Sequence, residues 1–334
     1  MIRLGLATLA LALFLLLPWM LTGRDFARAS PRLLSAAHLV TLLALALLPA
    51  GWLACLGAAL TALATGGDPH AAGCWLGLDA GGWRLVTDAV ALGALAPLAW
   101  QAVRLSVRTR RAELREVALA TADERRLRGG GVVWVIPSGR PLAYAGGVVR
   151  PRAVVTTGLL SMLDPAEQEA VLEHEGAHVR LGHPRLLLLG AVVAGAYGFL
   201  PSVRRAWAGL GREMEAAADE EAARLVGRSS LLAALARVGL AHASSDAPSF
   251  VDGAHLRYRI RRLQEPARSD PRANSLVGAL SAVLVVGFSW SICALADRDP
   301  AAGGLVACAV GAAAIGLRPT WPWGHRRTAA GDSG

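Results

Sequence analysis

His174-Glu175-Gly176-Ala177-His178 is the stretch on which the reading of this chain turns. Neutral imidazole is a preferred ligand of zinc, and residues four apart project from one face of a helix. His174 and His178 can therefore grip one ion. Glu175 lies about 100° round the same helix from His174, within reach of a water on that ion and able to take its proton. The array sits between apolar blocks, so a zinc site at a membrane is the first expectation.

The local pattern puts the array on a helix. Asp164-Pro165-Ala166-Glu167 is a helix start, with Asp164 as cap, Pro165 in the first turn and Glu167 where a capping box wants its acid. Ala170, Val171, Ala177 and Val179 carry the helix to Leu181, where Gly182 and Pro184 stop it. Upstream, Thr109 to Arg128 reads as a solvated amphipathic helix ended by Gly129-Gly130-Gly131. Val132 to Ile136, Leu142 to Val149 and Ala153 to Thr157 read as strands.

Two histidines leave the ion one protein ligand short of a catalytic three. His183 lies about 180° round a continuing helix from His174 and reads as a polar interfacial residue. Glu215 and Asp219 are better placed, four apart in a strong helix former and so on one face. Glu215 can supply the third ligand, and Asp219 can accept the second ring N–H of a ligand histidine. Glu213 points about 200° away and is the weaker alternative. Taken alone, this acid pair also fits an ordinary charged solvent face.

The apolar residues come in blocks at Leu4–Thr22, Leu33–Ala64, Leu85–Leu105, Leu276–Leu295 and Ala301–Leu317, which read as five crossings of ~30 Å of hydrocarbon. The formal charge is +9, and every basic residue is arginine rather than lysine. Arginines gather in alternate loops: Arg24, Arg28 and Arg32; Arg104 to Arg111; Arg257 to Arg272; Arg326 and Arg327. That pattern argues for a bilayer rather than nucleic acid as partner. By the positive-inside rule, the N-terminus is outside and the array and C-terminus are cytoplasmic. Ala27-Arg28-Ala29 leaves open a cleaved first block. Cys55, Cys74, Cys293 and Cys308 lack metal-site spacing.

Leu186–Leu200 is also apolar, but fifteen helical residues span only about 22 Å. A single crossing there would put Glu215 across the lipid from the histidines. A buried, re-entrant or interfacial helix is expected instead.

Gly146 to Leu160, Leu163-Asp164-Pro165-Ala166-Glu167 and Val171 to Arg180 resemble the membrane gluzincins of the BlaR/MecR antibiotic-sensor peptidase family. Those are similar in turn to CAAX-prenyl-protease and heat-shock membrane proteases. Glu215 to Asp219 with Ala222 resembles the family's ExxxD helix, and the likeness runs from about Val132 to Leu263. It implies zinc-dependent peptide hydrolysis, with His174, His178 and Glu215 as ligands and Glu175 as base. It also implies that the strand carrying Ala153, Val154, Val155 and Thr156 is the edge that pairs with an extended substrate. The sensors carry a C-terminal penicillin-binding domain, and this chain ends soon after its fifth block, so direct β-lactam sensing is not expected.

The whole reads as a mainly α integral membrane protein, with about five transmembrane helices and an inserted α+β gluzincin-type zinc peptidase domain. Residues 1–107 form the first membrane region, 108–272 the cytoplasmic peptidase domain, 273–318 two further crossings and 319–334 a tail. The expected partner is a cytoplasmic or juxtamembrane protein substrate, by resemblance a transcriptional repressor; a quality-control role is also open. The rival class is a non-catalytic membrane receptor or scaffold that keeps the fold. His255, Tyr258 and Arg259 follow the site and carry donors, which makes them the candidates for steadying an oxyanion, with membrane-surface anchoring as the alternative.

Overall fold

A computed structural model of the chain describes residues 15–22, 29–46, 95–111, 123–243, 253–265 and 270–281, with isolated positions 12, 26, 89 and 93. All of them fall in the first of two units, Met1–Phe288 and Ser289–Gly334. The architecture is mostly helical with one small sheet. Helix α1 is Pro31–Ala46. Strands β1 (Asp123–Arg126), β2 (Val132–Ile136), β3 (Ala143–Gly146) and β4 (Arg152–Thr156) follow. Then come helices α2 (Thr157–Leu160), α3 (Pro165–Arg180), α4 (His183–Tyr197), α5 (Pro201–Val226), α6 (Arg228–Ala243) and α7 (Gly253–Gln264).

The strand order is β1-β2-β4-β3. β1 runs antiparallel to β2, β2 parallel to β4, and β3 antiparallel to β4, with Ala143 opposite Val155 and Gly146 opposite Arg152. Residues 123–126 therefore form a strand, where a helix to Arg128 was expected. The Asp-Glu-Arg-Arg composition gave a helical charge pattern, but all four residues are exposed and their register comes from the turn. The Leu127 N–H donates to the Gly131 carbonyl and the Gly130 N–H to the Leu127 carbonyl. Gly130 (φ 85°) and Gly131 (φ 94°) adopt a conformation that costs glycine little. The glycines close a hairpin rather than end a helix.

α3 begins as its sequence demands. The Glu167 carboxylate accepts the Asp164 backbone N–H at 2.9 Å, and Pro165 occupies the first turn. Val133, Val135, Ala153 and Val155 of the sheet bury against Leu159, Leu160, Leu163 and Leu172. Burial at this density makes truncation of any such leucine to alanine cost about 2–5 kcal/mol. A second core unites Leu34, Leu42 and Leu45 of α1 with Val193 of α4 and Val203, Leu210 and Met214 of α5. A third joins Ala170, Ala222, Leu231, Ala234 and Leu263, locking α6 and α7 onto α3 and α5.

Gly182, with φ 71°, turns the chain through a left-handed residue between α3 and α4. Pro184 starts the next helix rather than stopping the last one. Among the described residues no single helix is long and apolar enough to cross a membrane. α3 and α4 pass that test together by length and composition, bent by 63°. Most of the five apolar blocks, and the whole of 301–317, lie outside the described residues.

Candidate metal centre

His174 and His178 sit one turn apart on the buried side of α3, and α5 crosses that side. Their rings meet edge to face, with Nε2 atoms 3.2 Å apart. Glu215 on α5 brings Oε2 to 3.4 Å from His174 Nε2 and Oε1 to 3.5 Å from His178 Nε2. Ligands held about 2.0–2.1 Å from a tetrahedral zinc are separated by about 3.3–3.4 Å. The three separations match that edge length, and two imidazoles with one carboxylate are a donor set for a catalytic metal. The His174, His178 and Glu215 cluster fits a metal site. Glu215 keeps 37% of its side chain exposed, so the cluster opens to one side.

Each imidazole has a different support. His174 Nδ1 lies 3.0 Å from Asp219 Oδ1, an approach oblique to the ring N–H and short of a straight hydrogen bond. Arg259 of α7 forks onto both Asp219 oxygens at 2.7 Å. Behind His178 stands His183, the first residue of α4, with Nδ1 atoms 2.9 Å apart. His183 is buried, and sequence reasoning misplaced it at an interface. That reading extended α3 past Gly182, whereas the left-handed glycine re-aims the next residue at the site.

The surroundings set the protonation of each group differently. Burial weakens His174 as a base, yet Asp219 and Glu215 overcome burial and raise it to about 10. Burial drives His178 down to about 4 and His183 to about 3, leaving both neutral with a lone pair to offer. Burial also pushes the Glu215 and Asp219 carboxyls up, but Arg259 and the imidazoles hold both below the usual carboxylate range. Glu175 is half-buried, and burial raises its carboxyl to about 7.

The remaining expectations divide. Glu213 faces away, buried against Tyr258 Oη (2.9 and 3.0 Å) and Arg212 (3.0 Å). Tyr258 is thereby taken up by Glu213 and by Arg262, which donates to its hydroxyl at 3.0 Å. Arg259 does reach the cluster, with Nη1 3.0 Å from Glu215 Oε2 and Nη2 3.4 Å from His174 Nε2. The described contacts give His255 no hydrogen bond to the cluster. Ala153, Val154, Val155 and Thr156 lie in β4, which is paired on both sides by β2 and β3 and so is not an edge. Strand order depends on pairing between segments distant in sequence, which local pattern does not specify. The edge on that side is β3.

Gly176 has its own explanation. A Cβ there would collide with the Leu127 side chain, so its absence lets the β1–β2 turn pack onto the motif helix. Glu173 fastens the same contact, accepting the Arg128 and Gly129 backbone N–H groups and pairing with Arg180 at 3.2 Å.

The family model of Peptidase family M48 matches residues 108–271. The chain is 36% identical over 89 residues to a protein named Protease HtpX homolog from Aquifex aeolicus, covering 25% of this chain and 29% of that protein. It is 31% identical over 150 residues to Protease HtpX of Xanthomonas oryzae pv. oryzae, covering 33% of this chain and 51% of that one. The chain thus spans about half or less of the length of these curated relatives. No solved structure matches. These matches do not speak for an antibiotic-sensor peptidase in particular. Residues 108–271, just under half of the chain, are thus similar to Peptidase family M48.

Proposed function

We propose that the chain is a membrane-held zinc endopeptidase that cleaves a protein substrate on the cytoplasmic side of the bilayer. The observation that carries this is the convergence of His174 Nε2, His178 Nε2 and Glu215 at separations of 3.2–3.5 Å from two different helices. Their donor chemistry suits zinc, which when bound would supply the Lewis acidity that activates a water and polarises the substrate carbonyl.

Glu175 is the general base. Its raised carboxyl, at about 7, sits near the value at which a base both holds and releases a proton at neutral pH. It takes a proton from the attacking water and returns it to the nitrogen of the departing amine. Arg259, fixed by Asp219 beside the cluster, is the group best placed to steady negative charge on the substrate oxygen. β3 has no further strand beyond it among the described residues, and it offers the backbone edge on which an extended peptide can lie.

Membrane attachment rests on the five apolar blocks and their alternating arginine loops. The 63° bend between α3 and α4 fits an apolar helix that enters the lipid without carrying Glu215 across it. A juxtamembrane protein, including a transcriptional repressor in a signalling pathway, is the substrate class this placement serves.

Glu175→Gln tests the reading. Cleavage should fall by about 10²–10⁴-fold with zinc content unchanged, scored by N-terminal peptide mapping of cell lysates. Wild-type cleavage by that variant would refute the assigned base.

A further inference from the structure

We infer that His183 is a positioning residue for the metal: its Nδ1 accepts the Nδ1–H of His178 and so commits His178 to the tautomer whose Nε2 faces His174 and Glu215. The inference rests on reading that cluster as a metal centre. It starts from the 2.9 Å separation of the two Nδ1 atoms, which requires one to donate and the other to accept. His178 Nε2 points at His174 Nε2 and at Glu215 Oε1, so a ligand role leaves it without a proton. The His178 proton must then be on Nδ1, and His183 must accept there and carry its own proton on Nε2.

The surroundings enforce this arrangement. Both imidazoles are at most 7% exposed, so bulk water is a poor substitute for the missing partner. Their rings meet edge to face, with centroids 4.8 Å apart. Gly182 supplies the geometry: its left-handed backbone, φ 71°, breaks α3 and sets His183 at the head of α4, against the ring five residues earlier. The two ligands are thus backed by unlike groups. His174 leans on the Asp219 carboxylate, itself held by Arg259, and His178 leans on a neutral imidazole. α4 thereby reports its position to the metal through a single hydrogen bond.

The test measures zinc affinity of the full chain in detergent by competition with a chelator. His183→Leu should weaken zinc binding by about 10–100-fold, the range for losing the partner of a ligand histidine. His183→Asn, whose side-chain oxygen can take the place of Nδ1 as acceptor, should recover most of that loss. Unchanged affinity in His183→Leu would overturn the inference. Equal weakening in both variants would also overturn it, because packing rather than the acceptor would then matter. Nitrogen-15 spectra of histidine in the zinc-loaded wild-type chain give a reading that needs no variant. The expected signature is a protonated Nδ1 on His178 and an unprotonated Nδ1 on His183, and the reverse would refute the assignment. A wild-type chain that binds no zinc would instead remove the metal centre itself.

Discussion

α3 and α4 are neighbours of almost equal length, 16 and 15 residues, separated by one bend of 63°, yet they are held in place by different forces. α3 buries charged and polar side chains, and each has a named partner. Glu167 takes the Asp164 N–H and Arg237 (2.9 Å each), and Glu173 takes two backbone N–H groups and Arg180. α4 beyond His183 leans on α1 and α5 mainly through Leu186, Leu187, Leu189 and Val193. Apolar burial is roughly proportional to area and has no preferred direction, whereas hydrogen bonds and ion pairs fix angles. The helix carrying the motif is therefore aimed by buried polar contacts, whereas the helix after it is mainly covered. Beyond His183 it has few directed contacts: Arg185 donates to the Val148 carbonyl (2.9 Å) and Gln101 to the Gly195 carbonyl (3.0 Å). The proposed metal centre needs ångström accuracy at α3, while it asks of α4 only that one end stay on His178.

The contrast can be broken most severely at Asp219. Asp219→Ala strips the partner from His174 and the forked acceptor from Arg259, leaving a buried guanidinium short of compensation. A loss of about 3–5 kcal/mol is expected, together with a 10–100-fold loss of zinc affinity, read by denaturant melts in detergent and chelator competition. Glu173→Ala is the next largest. It leaves the Arg128 and Gly129 N–H groups without their acceptor, at about 1–3 kcal/mol, and the same melts should show it. On the apolar side, Leu187→Met should cost less than about 1.5 kcal/mol and leave zinc affinity untouched. A large effect there would mean that α4 is aimed as strictly as α3, and the contrast would be lost.

The parts legible from the residues alone are those governed by local periodicity. The Asp164–Glu167 start, the four-residue spacing of His174 and His178, and that of Glu215 and Asp219 each need only helix geometry, and all three are present. That the two helices would meet was legible only through chemistry, since a metal wants a third ligand. What escaped depends on distant partners or on a break in the chain. β1 looked helical because its charges are those of a solvent face, and only pairing with β2 reveals a strand. β4 was expected as an edge from the resemblance alone, and nothing local records β3 beside it. His183 was projected along a helix that Gly182 ends. Arg259 sits on Asp219 from a helix forty residues later, a contact no spacing rule foretells.

Zinc K-edge absorption on the full-length chain tests the metal centre most directly. The expected result is one zinc per chain, with a nitrogen and oxygen shell at about 2.0–2.1 Å that includes two imidazoles, and loss of that shell in Glu215→Ala. A chain without zinc, a sulfur shell near 2.3 Å, or an unaltered shell in Glu215→Ala would contradict it.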